Sequence, residues 1–237
     1  MSVDNRAEGS LLIAGSGGLA RETAEAVRAV NAADGCYELL GFLDDAVAVQ
    51  GTEVDGVPVL GPIQAAHDFP RARLVVATGR PGDYLSRRRI VERLALPDER
   101  YATVVHPAAV APPSTAVGAG TILLAGVICT TAVRLGRHVA VMPGTVLTHD
   151  DEIEDYATVA AGVRVGGSVR IRTGAYLGSG VLIKEGVTIG AWSLLGMGSV
   201  VTGSVPPGEV WIGAPARWLR DVRLPDGWFA PFPPPLT

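Results

Sequence analysis

Aromatic side chains make up only 5% of the 237 residues, although 48% of the chain is hydrophobic. A core built around large rings is therefore excluded, and a fold stacked from small aliphatics is favoured. The length allows one large core or two modest ones. Cysteine is scarcer still: Cys36 and Cys129 are the only two, far apart and without metal-ligand spacing. Neither a disulfide scaffold nor a metal site is expected; both thiols read as buried small hydrophobes, consistent with a reducing cytoplasm. No apolar run reaches the ~18 residues that span a bilayer. The segment Met1–Ser10 also lacks the charged-then-apolar layout of a signal peptide. Basic residues are outnumbered, 20 Lys and Arg against 24 Asp and Glu, for a net charge of −4. Neither nucleic acid nor an anionic membrane is expected as a partner.

Glycine and proline are abundant, at 30 and 17 residues. Runs of Val, Ile and Leu between them exclude disorder over most of the length. From Val117 onward, steps of six give Val117, Leu123, Cys129, Leu135, Val141, Leu147, Ile153, Val159, Val165, Ile171, Leu177, Ile183, Ile189, Leu195 and Val201. Fourteen of these fifteen positions are Val, Ile or Leu. Four residues after each stands a small or β-branched residue in almost every case, such as Val127, Val139, Thr145, Val163, Val181 and Ser199. The residue just after the aliphatic is often Gly, as at Gly118, Gly136, Gly166, Gly178, Gly190 and Gly196. Helices repeat near 3.6 and simple strands near 2, so a strict period of six fits neither. It fits a short strand and a tight corner, with one aliphatic pointing inward from each strand. Three hexads make a triangular coil, and the run makes about five stacked coils.

These residues resemble the bacterial hexapeptide-repeat acyltransferases. The resemblance implies a left-handed parallel β-helix, against the usual handedness of parallel connections. It also implies a homotrimer with active sites in the grooves between subunits. The run Val201-Thr-Gly-Ser-Val-Pro-Pro-Gly, followed by Val210-Trp-Ile-Gly-Ala-Pro-Ala-Arg217, is similar to the closing segment of those enzymes. The expected β-helix domain covers residues 105–220, and a Pro-rich tail, extended or disordered, covers 221–237.

Residues 1–104 read differently. Leu11-Leu-Ile-Ala-Gly15 is a buried strand, and Gly15-Ser16-Gly17-Gly18-Leu19-Ala20 leads into helical composition from Arg21 to Val30. This is G-x-G-x-x-A between strand and helix, where backbone N–H groups can cradle phosphate. Tyr37–Leu43 is a second strand that ends in Asp44-Asp45, the position of a ribose-binding acid in dinucleotide folds. Val57–Leu60 and Leu74–Gly79 read as strands and Tyr84–Leu94 as a helix, so a small Rossmann-like parallel α/β domain is expected. The glycine motif by itself admits an NAD site, a turn kept only for packing, or a nucleotide or sugar-nucleotide site. Arg87-Arg88-Arg89 reads as a solvated helix face.

Joined to the hexapeptide repeat, this domain resembles that of the sialic acid O-acetyltransferase and bacillosamine-pathway sugar N-acetyltransferase family, over roughly residues 10 to 220. That resemblance implies binding of a nucleotide-linked amino sugar. Gly15, Ser16 and Gly17 would face the nucleotide or its phosphates, Asp44 and Asp45 the base or ribose, with Thr78, Gly79 and Arg80 closing the pocket.

Of four histidines, His67 reads as structural, His106 marks the start of the β-helix, and His138 reads as an exposed corner bystander. His149 differs because its hexad, Leu147-Thr-His-Asp-Asp-Glu, breaks the repeat. Asp151 stands where other hexads place Val, Thr or Ala, which reads as a segment pushed to the surface for chemistry. The stretch Ile153–Gly162 is similar to the family's catalytic stretch. His149 is thus expected to be a general base, suited to accept a proton as a nucleophile attacks a thioester. The resemblance assigns Asp150 to fix its tautomer and the Gly167 backbone N–H to the oxyanion. It also places acetyl-CoA, or another acyl-CoA, along Ser179, Gly196 and Met197, with Arg217 near its phosphates. Two positions depart from the family: Thr158, beside the acyl-CoA, replaces a frequent histidine, and Met142, in the acceptor pocket, replaces a frequent asparagine. Both leave the acyl chain and the acceptor open. An O-acyltransferase, a non-catalytic trimeric sugar-nucleotide-binding scaffold and, more distantly, a nicotinamide oxidoreductase remain as rivals.

Overall fold

The structure, a computed structural model, describes residues 9–33, 35 and 37–223. Cys36 and most of the Pro-rich tail lie outside the described residues. The chain begins with β1 (Gly9–Ala14), α1 (Gly18–Ala33), β2 (Tyr37–Leu43), β3 (Glu53–Val54), β4 (Val57–Gly61), β5 (Arg73–Val76) and α2 (Ser86–Leu94). The strands form one sheet in the order β3-β4-β2-β1-β5, parallel except for the β3–β4 hairpin. Leu11, Leu12, Ile13 and Ala14 on β1 are fully buried, as a central parallel strand covered on both faces requires. Helix α1 buries Leu19, Ala20, Thr23, Ala24, Val27 and Val30, a single stripe at helical spacing.

From Val104 to Val201 the chain is a left-handed parallel β-helix of two-residue strands, closed by the longer antiparallel pair Glu209–Ile212 and Arg217–Asp221. Each strand pairs with the one 18 residues on, as in Arg134↔Glu152, Val141↔Val159 and Val146↔Arg164, so one coil is three hexads. Leu123, Leu147, Val159, Ile171, Leu177 and Leu195 point inward and are fully buried. Each contributes about 1.5–3 kcal/mol by leaving water, which is how a chain poor in rings holds a continuous core. Val104 packs in the core of the first domain and Val105 in that of the prism.

The prism has three unlike faces. On the first, Ile122, Ala140, Thr158 and Tyr176 point outward but are buried under the α/β domain. On the second, Ile128, Val146, Leu182 and Val200 point outward with only Arg164 among them; Ile128 is 39% and Leu182 45% exposed. The third is charged: Glu152 pairs with Arg134 at 3.2 Å and with Arg170 at 3.4 Å.

Candidate active site

His149 and Asp150 form the corner between the apolar and charged faces. Asp150 has φ 61°, a left-handed conformation that Asp tolerates better than most residues. This turn projects both side chains into solvent, His149 Nδ1 lying 2.9 Å from Asp150 Oδ2, with the side chains 60% and 63% exposed. With Nδ1 beside a carboxylate, Nε2 is the ring nitrogen left for another partner. One coil further on, Gly167 occupies the same corner. A Cβ there would fall 2.2 Å from His149 Nε2 and 2.3 Å from Cε1, so the imidazole lies directly over this glycine. Ser168 N–H donates to the His149 carbonyl at 2.8 Å, while the Gly167 N–H takes no partner in the backbone ladder.

Asp151 is not at the surface as its break in the repeat implied. It is fully buried, because four residues after the aliphatic is an inward position whatever residue fills it. Its carboxylate accepts from Thr148 N–H at 2.8 Å and Val169 N–H at 3.0 Å. Burial pushes its pKa up to about 6, against the pull of those two donors.

A second concentration of functional groups lies at the carboxyl ends of β1, β2 and β5. Here the strand order reverses on either side of β1, the crevice where open α/β sheets bind ligands. Gly15 has φ 103°, and a Cβ would meet Thr78 Cγ2 at 2.9 Å and the Ala77 carbonyl at 3.0 Å. Only glycine lets the turn pass this closely to the end of β5. Asp44 accepts from Ser16 N–H at 2.9 Å and Ser16 Oγ at 2.6 Å, and so shapes the turn before α1. Asp45 accepts from Ile63 N–H at 3.0 Å and pairs with Arg93 at 2.6 Å. Both acids are thus engaged in building the crevice. Gly17, in the turn between β1 and α1, is exposed, and an added Cβ there would meet nothing within 4 Å. Gly79 and Arg80 follow β5, with Arg80 exposed.

The seam between the domains overturns two expectations and buries Thr158. Arg87 is fully buried, not part of a solvated face. It donates to the carbonyls of Thr78, His138, Tyr156 and Ala157 at 2.6, 2.7, 3.0 and 3.1 Å, and to Thr158 Oγ1 at 2.6 Å. Desolvation lowers its pKa to about 10, which leaves it charged at neutrality. The signal was present: Arg87, Ile90 and Leu94 are spaced i, i+3, i+7 and share the buried face of α2. Arg89 pairs with Asp83 at the surface, whereas Arg88, only 14% exposed, pairs with Glu92 and lies over the Trp192 ring. Thr158, placed beside the acyl-CoA by resemblance, is 1% exposed and held by Arg87. His138 is 1% exposed, not a bystander; its corner turns inward under the first domain. It stacks on Tyr156 at 5.3 Å and meets Tyr101 edge-on at 4.5 Å. Burial, with Arg87 and Arg137 nearby, pushes its pKa down to about 3.

Residues 10–94 match the PglD N-terminal domain. Over 206 residues, 85% of this chain and 82% of the relative, the sequence is 33% identical to a GDP-perosamine N-acetyltransferase of Escherichia coli O157:H7. The chain belongs to the hexapeptide-repeat sugar N-acetyltransferases. The acetyltransferase domain of PglB from Neisseria gonorrhoeae, solved with acetyl coenzyme A, superposes with a TM-score of 0.79. It is 27% identical, over 90% of this chain and all of that one (100%). A histidine-to-asparagine mutant of perosamine N-acetyltransferase from Caulobacter crescentus, solved with CoA and GDP-perosamine, gives 0.78. It too is 27% identical, over 90% of this chain and 98% of that one.

The remaining residues that family resemblance singles out fall in two places. Ser179 and Met197 are exposed on the corner between the covered and apolar faces, Met197 to 79%, with Gly196 packed against Ile212. Arg217 is exposed on the final strand pair. Met142 is half-buried against the first domain's core, at the seam. No helix among the described residues is long and apolar enough to cross a membrane.

Proposed function

We propose that this enzyme transfers an acetyl group from acetyl-CoA to the amine of a nucleotide-linked amino sugar in the cytoplasm, with His149 as general base. The observation that carries this reading is the alignment of the His149–Asp150 pair over Gly167. The sugar amine attacks the thioester carbonyl while Nε2 of His149 takes its proton. Asp150 holds Nδ1–H and stabilises the imidazolium as it forms. The Gly167 N–H donates to the oxyanion, and collapse of the tetrahedral centre reforms the carbonyl and expels the CoA thiolate, which recovers a proton from the imidazolium. The first-domain crevice would hold the nucleotide: Gly15, Ser16 and Gly17 at the phosphates, Asp44 and Asp45 near base or ribose, Thr78, Gly79 and Arg80 at its rim. CoA would run past Ser179, Gly196 and Met197 toward Arg217.

The assembly follows from the faces of the prism. The first domain covers one face, and His149 stands on the opposite edge of the triangle. A single chain therefore keeps its crevice and its histidine apart. The uncovered apolar face, which borders the His149 corner, supports a homotrimer in which a neighbour's crevice adjoins that corner. CoA release from acetyl-CoA, measured across a panel of nucleotide-linked 4-amino sugars with wild type and His149→Ala, tests the chemistry. Undiminished turnover in the variant overturns it. Replacing the acceptor amine by hydroxyl separates N- from O-acylation.

A further inference from the structure

Among the inward positions four residues after each aliphatic, from Thr121 through Val127, Val133, Val139, Thr145 and on to Val205, Asp151 alone is ionisable. All of these positions are buried. A carboxylate in an aliphatic core is costly by several kcal/mol unless its oxygens are paired. Here each oxygen takes one backbone N–H, and the two donors belong to different coils. Thr148 immediately precedes His149, and Val169 follows the Gly167–Ser168 corner. Two more bonds join the same coils: Ser168 N–H to the His149 carbonyl at 2.8 Å, and Thr148 Oγ1 to the Val165 carbonyl at 2.9 Å.

We infer that Asp151 is a positioning residue for acyl transfer, a staple between the turn that carries the base and the turn that carries the oxyanion donor. The inference rests on the proposed role of His149. Elsewhere in the prism the repeat makes half of this contact without charge: Thr121 Oγ1 accepts Val139 N–H at 3.0 Å, at a corner where a histidine, His138, also packs against a glycine, Gly120, but is buried under the first domain. At the His149 corner a second acceptor is needed to hold the Thr148 N–H as well, and a carboxylate supplies it. The titratable groups around it are His149 and Asp150 on its own turn and Cys129 on the coil below.

Two substitutions test this: Asp151→Val, which installs the repeat's own residue, and Asp151→Thr, which restores half the staple. Val removes a buried charge, so the thermal midpoint should hold or rise. The value of kcat should nevertheless fall ~10–100-fold, the scale of misplacing reacting groups by an ångström, with KM for both substrates little changed. Thr should recover part of the loss. The acid limb of log kcat against pH should also steepen with two required deprotonations in wild type and only one in Asp151→Val. Full kcat in Asp151→Val overturns the inference, as does a loss that merely follows the thermal midpoint across both variants. An inactive His149→Ala beside a fully active Asp151→Val sinks this inference alone, whereas an active His149→Ala sinks the reading beneath it.

Discussion

The imidazole of His149 rests on Gly167 so closely that the smallest side chain there would fall 2.2 Å from its Nε2. The contact joins two coils of the prism and sets the proposed base beside the N–H proposed to face the oxyanion. Gly167 does not have a positive φ, so alanine is compatible with its backbone, and the only conflict is with the ring. Gly167→Ala should swing the imidazole away from Asp150 and lower kcat ~100-fold, the scale of losing one oriented catalytic group. The thermal midpoint should stay within a degree or two of wild type. Equal kcat in the two proteins would show that the ring need not lie there.

Asp150 sits beside Nδ1 in solvent, where its charge is screened and contributes little to stability. In the proposed mechanism its effect belongs to the reaction, where it would fix the tautomer and meet the imidazolium. Asp150→Asn should reduce kcat ~10–100-fold, less than a buried triad acid would give, with an unchanged urea midpoint. Steady-state kinetics and equilibrium unfolding on one preparation check both halves.

What the sequence made legible, and what it hid, divides by the range of the forces involved. The prism was readable because each hexad repeats the same local solution, an inward aliphatic and a tight corner, so Leu147 or Ile171 declares itself without knowledge of distant residues. The His149–Asp150 corner was readable for the same reason, as a break in that rhythm. For Arg87 only the helical spacing with Ile90 and Leu94 was local; the partners that hold it, His138, Tyr156 and Thr158, lie 51 to 71 residues away. His138 misled similarly: corners are exposed in a bare prism, and only the docked first domain covers this one. Asp151 misled by chemistry, since a carboxylate reads as a surface residue until two backbone donors are found for it.

Arg87 leads to a stability prediction. Its guanidinium satisfies four carbonyls and a hydroxyl at a seam where it is fully buried. Arg87→Met keeps the stem but leaves those acceptors unpartnered, and should destabilise the protein by about 3–5 kcal/mol. Urea unfolding measures it. A loss under 1 kcal/mol would mean that the seam rearranges to satisfy itself.

Acid should expose two buried groups of opposite sign. His138 falls from 6.5 to about 3 on folding, so the unfolded chain takes the proton first. Its stabilisation is whole above pH 6.5 and drains away as pH drops toward 3, by about 3 kcal/mol at pH 4.5. Asp151 rises from 3.8 to about 6 and works the other way, adding about 2 kcal/mol over the same descent. The two nearly cancel in wild type. His138→Asn, which keeps a residue that tolerates the local φ of 54°, should therefore gain stability between pH 7 and 4.5 relative to wild type. Urea midpoints at the two pH values decide it, and parallel losses in both proteins would refute the assignment.

The composite site can be tested by mixing two dead chains. His149→Ala removes the base but keeps the crevice. Gly17→Asp keeps the base and sets a negative charge where the nucleotide phosphates are expected, at a position with no atom within 4 Å of an added Cβ. Each protein alone should be inactive. If a site takes its histidine from one chain and its crevice from the next around a ring of three, every mixed trimer has one intact site of three. Co-refolding in equal amounts makes three-quarters of the trimers mixed, so about a quarter of wild-type activity should return. A monomeric site predicts none. The same assembly should fail when Ile128 on the apolar face becomes Arg, with sedimentation reporting single protomers and turnover lost while the prism stays folded.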